Sequence, residues 1–188
     1  MATEGPDAVV MSEPAGKYAL FELERRFLVG RLPDDVSRHE GWRIVDRYIE
    51  NTHLRLRRME PTACSSPIFK LGQKHVPSEP DFSRMTITNM YLSRQEYDTL
   101  SCLRARELRK ARRLVTHEAR IYNVDAFEGN LAGLVLAETS FETEVELSEP
   151  LALPPWIVRE VSNDIRFTGG ALASLTGEQA RALISGLG

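Results

Sequence analysis

The chain has 188 residues, enough for a single domain with a sizeable core, and 42% hydrophobic and 27% charged residues are typical of a globular protein. The net charge of −3 argues against a nucleic-acid-binding protein, and two cysteines, Cys64 and Cys102, are too few for a disulfide framework or a zinc site. No apolar run is long enough to span a membrane and the first residues lack a signal-peptide pattern, so we expect a cytoplasmic protein with no membrane partner.

The sequence divides into a short leader and one domain. Residues 1–16 are rich in Ala, Gly, Pro and Glu, and we expect them to be disordered, whereas residues 17–188 should fold as one domain. Eight short strands with few helices between them predict a mainly β chain with flanking helices (α+β), built as an antiparallel barrel or sandwich. Alternation of apolar and polar side chains places the strands at 19–29, 42–49, 52–59, 66–71, 83–90, 110–116, 119–125 and 133–146.

Helical signals occur outside these strands. A weak helical pattern covers 33–40, and the rigid turn at Pro154-Pro155-Trp156 precedes a segment, 157–166, in which we expect a short helix. Two capping-box patterns predict the starts of two further helices, one in the middle of the chain and one at its C-terminus: Ser93 with Glu96, and Thr176 with Gln179.

Charged residues lie within the strands rather than at their ends. In the first strand the side chains alternate, so that Glu22, Glu24 and Arg26 share one face. Neighbouring carboxylates repel each other, and such a face is normally matched by a divalent cation or by basic groups. Later strands have charged faces of a single sign, basic in the middle of the chain and acidic near its end: Arg55 with Arg57, Lys70, Lys110 with Arg112, and Glu138.

These charged faces have two interpretations. In a sandwich they would be solvated outer faces, which is the common arrangement for polar strand faces. In a closed barrel the apolar faces of the same strands would pack outward beneath helices, and the interior would be charged. Segregation of acids and bases on different strands favours the second interpretation, because exposed surfaces usually mix both signs. Such an interior suits a polyphosphate held by Arg and Lys, with a divalent metal bridging its oxygens to the carboxylates.

Taken in order, these segments resemble the CYTH superfamily, also called triphosphate tunnel metalloenzymes. The family includes inorganic triphosphatases, thiamine triphosphatases, a class of adenylate cyclases and fungal RNA triphosphatases. The resemblance covers roughly residues 18–175 and implies an eight-stranded antiparallel β-barrel tunnel. It begins with Glu22–Val29, which is similar to the family's opening Glu-x-Glu-x-Lys signature, and continues through five later motifs: Leu54–Arg57, Lys70, Arg109–Arg112, Val124–Glu138 and Pro154–Asp164.

The resemblance implies a role for each residue at a matching position. Glu22, Glu24 and Glu138 would hold Mg²⁺ or Mn²⁺. Arg26, at the place of the signature lysine, would bind phosphate and act with Glu22 and Glu24 in catalysis. The remaining phosphate-binding residues would be Arg55, Arg57, Lys70, Arg84, Lys110 and Arg112.

Several positions depart from the family pattern. Arg26 keeps the charge of the usual lysine but cannot lose a proton near neutral pH. Ser140 stands where the late strand usually has a second glutamate, and Thr86 and Thr88 stand where two acids usually follow the arginine at position 84. Fewer carboxylates weaken metal binding, so we expect one metal site rather than two, whereas binding of an anion becomes stronger.

We therefore expect a metal-dependent phosphohydrolase that acts on inorganic triphosphate or on an organic tri- or diphosphate. The lost carboxylates leave a second interpretation open, a degenerate tunnel that binds a phosphorylated ligand without hydrolysing it. Non-hydrolytic chemistry on a diphosphate or nucleotide is a third. The partner would be a phosphorylated small molecule or inorganic polyphosphate, and not a nucleic acid. The sequence leaves open the organic part of the ligand and whether the chain is a monomer or a homodimer.

Overall fold

The computed structural model describes residues 18–32, 36, 40–63, 65–75 and 82–187. The predicted leader, the start of the domain at residue 17 and nearly all of the weak helical pattern at 33–40 lie outside these ranges. Nine strands are formed by the described residues: β1 (Leu20–Val29), β2 (Gly41–Ile49), β3 (Leu54–Pro61), β4 (Ile68–His75), β5 (Arg84–Leu92), β6 (Ala105–His117), β7 (Arg120–Phe127), β8 (Val135–Phe141) and β9 (Ile157–Glu160).

Eight of these strands close into a barrel. The order along the sheet is β5-β4-β3-β2-β6-β7-β8-β1, and β1 returns to pair with β5. Each of these pairings is antiparallel. The predicted eight-stranded antiparallel barrel is therefore confirmed, and the alternative of an open sandwich is wrong.

The ninth strand covers a free edge of β1. β5 pairs with β1 only over Leu20–Leu23, whereas β9 pairs with the same edge over Phe27–Val29. An uncovered strand edge exposes backbone N–H and C=O groups, and the pairing with β9 satisfies them. The predicted short helix at 157–166 is therefore wrong, since this segment contains β9 and only a single 3-10 turn at Ile165–Phe167.

Strand β8 is shorter than the predicted strand at 133–146. It ends at Phe141, and a helix, α2 (Glu144–Ser148), replaces the expected continuation. Thr143 caps this helix, because its side chain accepts a hydrogen bond from the backbone N–H of Glu146. The Thr-x-x-Glu pattern here is a helix-start signal that competes with strand alternation. Glu142, Glu144 and Glu146 therefore lie beyond the end of the barrel strand.

Both helices predicted from capping boxes are present. α1 (Arg94–Leu100) follows Ser93 and α4 (Gly177–Ser185) follows Thr176, and each cap forms both of its reciprocal hydrogen bonds. A further helix, α3 (Gly169–Ser174), precedes α4. Within the described ranges, no helix combines the length and the apolar character needed to cross a membrane.

The barrel packs its apolar strand faces outward, as the closed-barrel interpretation predicts. Leu56 of β3 and Phe69 of β4 are buried against Tyr97 of α1, and the two aromatic ring centroids are 4.7 Å apart. On the other side of the barrel, Tyr122 of β7 packs edge-on against Trp156 at a centroid distance of 5.3 Å. Because these faces supply the core outside the barrel, the alternate faces of the same strands point inward.

Candidate functional site

A cavity of about 480 Å³ lies inside the barrel, and this volume is within the range of small-molecule sites. It reaches Thr52 and His53, which are exposed on the β2–β3 turn. The residues that line it include three carboxylates, Glu22, Glu24 and Glu138. In the part of the chain that the structure describes, seven lining residues are cationic: Arg26, Arg55, Arg57, Lys70, Lys74, Lys110 and Arg112.

The structure brings together nine of the ten site residues predicted from the sequence, and Arg84 lies apart from them. Arg84 donates from Nε to Glu144 at 2.7 Å near the protein surface. Side chains alternate between the two faces of β5, and the inward face carries Met85, Ile87 and Asn89. Arg84 therefore lies on the opposite face. The two threonines of β5 share the parity of Arg84, so they do not replace acids in the lining, and this wall is largely apolar.

Arg26 joins two lining carboxylates. Its Nη2 donates to Glu24 at 3.0 Å and its Nε donates to Glu138 at 2.9 Å. The two glutamates lie on the adjacent strands β1 and β8, which places one guanidinium between them. Although burial acts in the opposite direction, Glu138 and Glu24 raise the pKa of Arg26 above its usual range. Arg26 is therefore a permanent cation and cannot act as a base.

The two glutamates differ in their electrostatic surroundings. Burial raises the pKa of Glu24, and the charge of Glu138 adds to this effect. Burial acts in the same direction on Glu138, but the charges of Arg26 and Arg112 hold the pKa of Glu138 well below its usual range. Arg112 donates from Nη2 to Glu138 at 2.8 Å. Glu138 is therefore a stable anion, whereas the negative charge of Glu24 is only partly compensated.

Asp125, a buried residue that does not line the cavity, binds two of the lining cations. Lys110 donates from Nζ, and Arg112 donates from Nε and Nη2, to the Asp125 carboxylate at 2.6 Å in each case. Asp125 is 1% exposed, and although burial acts in the opposite direction, Arg112 and Lys110 lower its pKa. The two cations are thus fixed in position before any ligand binds.

Asp46 has a similar relation to the arginines of β3. Arg57 donates from Nε and Nη2 to the two carboxylate oxygens of Asp46 at 2.5 and 2.7 Å. Arg55 Nε lies 3.7 Å from Asp46, and this buried nitrogen has no hydrogen-bond partner among the described residues. Gly72 faces Arg55 on β4, and a side chain at this position would meet Arg55 Nη2 at 3.5 Å and Asn89 at 2.8 Å. Arg55 therefore lacks the bidentate carboxylate pair that holds Arg57.

The two lysines of β4 that line the cavity have different partners. Lys74 donates to Glu22 at 2.6 Å, and both side chains are partly exposed. The Lys70 ammonium lies 4.8 Å from the ring centroid of Tyr91, an arrangement in which the ring face attracts the cation. Lys70 thus contacts an aromatic ring rather than a carboxylate, and its charge is available to an anion.

The barrel is similar in fold to solved structures. Two crystal structures of NE1496, one of them described as an inorganic triphosphatase, are similar at 22% sequence identity, with TM-scores of 0.56 and 0.55. The similarity covers 82% and 81% of this chain and 95% and 97% of those chains. The chain has the triphosphate tunnel fold.

More distant comparisons add little to this result. The PH1819 protein from Pyrococcus horikoshii is similar over 67% of this chain and 81% of its own, at 15% identity, but its TM-score of 0.46 is too low to support a conclusion. No family model matches the sequence, and no curated protein is significantly similar to it.

Three residues of the tunnel's charge network were missed as site residues in the sequence analysis. Asp46 shares its strand parity with Ile44 and Tyr48, so a lone acid on an apolar strand face was the available signal. The fourth strand was predicted to end at residue 71. The prediction therefore did not show that Lys74 shares a strand face with Lys70. Asp125 was the last residue of a predicted strand, where a turn role is also common.

Two of the tunnel carboxylates are candidate ligands for a divalent cation. No group of three His, Cys, Asp or Glu side chains converges as a metal site among the residues described. Mg²⁺ commonly uses one or two carboxylates together with phosphate oxygens and water, rather than a full set of protein ligands. Glu24 and Glu138 are the candidate pair, and Arg26 donates a hydrogen bond to each of them. Glu22 lies on the same face of β1 but is engaged by Lys74.

Proposed function

We propose that the chain is a metal-dependent phosphohydrolase that acts on inorganic triphosphate or on an organic tri- or diphosphate inside the tunnel. The observation that carries this proposal is the excess of cations among the described residues, since seven lining cations meet three lining carboxylates and the two buried aspartates, Asp46 and Asp125. A phosphate chain presents several negative oxygens in a row and so matches cations supplied by several strands. Similarity in fold to an inorganic triphosphatase supports the same class of substrate, although fold alone does not determine function.

The cations of the tunnel would bind and orient the phosphate chain. Lys110 and Arg112 are held by Asp125, and Arg57 is held by Asp46, so these side chains need little rearrangement when the ligand binds. Arg55 lines the cavity and has no hydrogen-bonded carboxylate among the described residues, so its guanidinium would be free to turn toward phosphate oxygens.

The carboxylates would hold one Mg²⁺ or Mn²⁺. Glu24 and Glu138 are the first candidates, and Glu22 could join them when Lys74 releases it. A bound divalent ion neutralises phosphate charge and polarises the phosphorus for attack. Arg26 cannot accept a proton, so it would orient the two glutamates and add positive charge.

Release of phosphate from tripolyphosphate tests this function. We expect release in the presence of Mg²⁺ or Mn²⁺, no release with EDTA, and a loss of about 100-fold or more in Glu24→Gln. Glu178→Gln, on the exposed face of α4, is the matched control and should keep the wild-type rate. Absence of release by the metal-loaded protein, across a panel of inorganic and organic polyphosphates, would contradict hydrolysis.

One observation favours a second function, the binding of a phosphorylated ligand without hydrolysis. Each lining carboxylate is already paired with a cation: Glu22 with Lys74, Glu24 with Arg26, and Glu138 with Arg26 and Arg112. A site in this state can accept an anion without a metal. Calorimetric binding of tripolyphosphate that is unaffected by EDTA, together with absent turnover, would support this function, and metal-dependent turnover would exclude it.

A further inference from the structure

Asp46 is placed as a support for other residues rather than as a contact for a ligand. Its side chain is 1% exposed and does not line the cavity. It lies on the inward face of β2, directly across from Arg57 of β3 in the strand register. Isolated buried carboxylates are costly, so this position is tolerable only because two arginines compensate the charge.

The two arginines are held unequally. Arg57 forms a two-pronged pair with Asp46 through Nε and Nη2, the geometry in which a guanidinium and a carboxylate match best. Arg55 Nε is 3.7 Å from the same carboxylate and is buried without a hydrogen-bond partner among the described residues. Strand alternation gives both arginines the same face and predicts the same role for them. Their unequal contacts with the buried Asp46 carboxylate make them different.

We propose that Asp46 is a positioning residue, which fixes Arg57 as a rigid part of the tunnel wall and leaves Arg55 as the arginine that contacts the phosphorylated ligand. This inference rests on the proposed function, because it takes the ligand to be a chain of phosphates. A fixed cation and an adjacent free donor recognise oxygens at a defined spacing. Two mobile arginines would instead attract any anion.

Removal of the Asp46 charge has two opposing effects. The tunnel gains one net positive charge, so the attraction for any small anion increases. At the same time Arg57 loses its bidentate partner and its fixed position, so the preference for a phosphate chain over a compact anion decreases. A loss of stability alone would not change the relative affinities for a phosphate chain and a compact anion in the molecules that are folded.

The test compares the affinities of tripolyphosphate and sulfate in EDTA by calorimetry, and kcat and KM with the metal present. In Asp46→Asn we expect the ratio of the two affinities to fall about tenfold or more. We also expect the fold-decrease in kcat to be larger than the fold-change in KM. Asp98→Asn, which removes an exposed charge on α1, should keep the wild-type ratio and rates.

The two arginines provide an independent arm of the test. Arg57→Lys keeps the charge but not the two-pronged pair, and should reproduce the loss of selectivity seen in Asp46→Asn. Arg55→Lys should instead weaken tripolyphosphate binding about tenfold or more. Should Asp46→Asn fail to fold, as judged by circular dichroism and thermal unfolding, Arg57→Lys tests the same pair.

The outcomes separate this inference from the proposed function. If the wild type binds neither tripolyphosphate nor an organic polyphosphate, the proposed function is overturned and the role of Asp46 with it. If the wild type selects tripolyphosphate and folded Asp46→Asn and Arg57→Lys retain the same selectivity and kcat, only the assignment of Asp46 is overturned.

Discussion

Lys74 of β4 donates a hydrogen bond to Glu22 of β1 at 2.6 Å, although β5 lies between these two strands. In the strand register Glu22 is paired with Met85 and Lys74 is paired with Ile87, so the lysine side chain crosses the apolar inner face of β5. The two side chains are 30% and 31% exposed. An ion pair with this exposure contributes at most about 1 kcal/mol, so a ligand can exchange it easily.

Replacement of Lys74 by methionine should therefore separate metal binding from anion binding. We expect Lys74→Met to bind Mn²⁺ more tightly, because Glu22 is released, and to bind tripolyphosphate in EDTA more weakly, because a lining cation is lost. The free energy of unfolding should change by less than about 1 kcal/mol. Calorimetry with each ligand measures both effects, and Arg94→Met on α1 is the control. Equal Mn²⁺ affinity in the wild type and Lys74→Met would show that Glu22 is not a metal ligand.

Glu24 and Glu138 should affect stability with opposite dependences on pH. The pKa of Glu24 is raised, mainly by burial, so its contribution to stability is present below the ordinary glutamate value of 4.5 and is lost as pH rises through the folded-state pKa. The pKa of Glu138 is lowered by Arg26 and Arg112 in spite of burial. Its contribution is therefore present above 4.5 and is lost as pH falls through the folded-state pKa.

Neutral glutamine variants measure this difference. In EDTA at pH 7.5, Glu138→Gln should lose about 3–5 kcal/mol, because two buried arginines lose a partner, and the loss should shrink toward pH 4. Glu24→Gln imitates the protonated form and should gain stability relative to the wild type as pH rises. Urea unfolding at several pH values gives both curves. If the free energies of unfolding of the two variants changed with pH in the same way, the environments assigned to Glu24 and Glu138 would be wrong.

Much of the tunnel was predictable from strand periodicity. Glu22, Glu24 and Arg26 alternate with Leu23 and Arg25, and a period of two places them on one face in any strand. The same rule placed the two arginines of β3 and the cations of β6 inside once the barrel was closed. Capping boxes located α1 and α4 because they are local hydrogen-bond patterns, independent of the tertiary structure.

The remaining features depend on contacts between distant segments. The inward face of β5 is set by its pairing with β1 and β4, and no local pattern showed that Met85 rather than Arg84 would line the cavity. β9 is a strand because β1 has a free edge, which a sequence does not reveal. Asp46 was missed because its compensation comes from a neighbouring strand.

Leu56 tests the outward packing of the barrel. It is 1% exposed and contacts the core beneath α1, although the arginines on either side of it point into the tunnel. Leu56→Ala should lower the free energy of unfolding by about 2–5 kcal/mol. At a temperature where the variant is folded, its affinity for tripolyphosphate should stay within about twofold of the wild type, because the tunnel lining is unchanged. A large loss of affinity in the folded variant would place Leu56 in the tunnel instead.

Gly169 brings α3 against the tunnel wall. A Cβ at this position would overlap the hydroxyl oxygen of Tyr48 and would lie 3.0 Å from its Cζ. Tyr48 lines the cavity and is paired with Arg55 in the strand register, so a shift of Tyr48 would disturb the wall next to this arginine. We expect Gly169→Ala to lose about 1–3 kcal/mol of unfolding free energy, as overpacked sites do, and to weaken tripolyphosphate binding.

Two further variants separate this steric conflict from the general effect of replacing a glycine in a helix. Gly177→Ala, in the first turn of α4, meets its nearest neighbours at 3.5 Å and should be neutral or slightly stabilising. Tyr48→Phe removes the hydroxyl that the new methyl would overlap, so the double variant Gly169→Ala with Tyr48→Phe should be more stable than the sum of the single changes predicts. Strictly additive free energies, measured by urea unfolding, would rule out this contact as the reason for glycine at position 169.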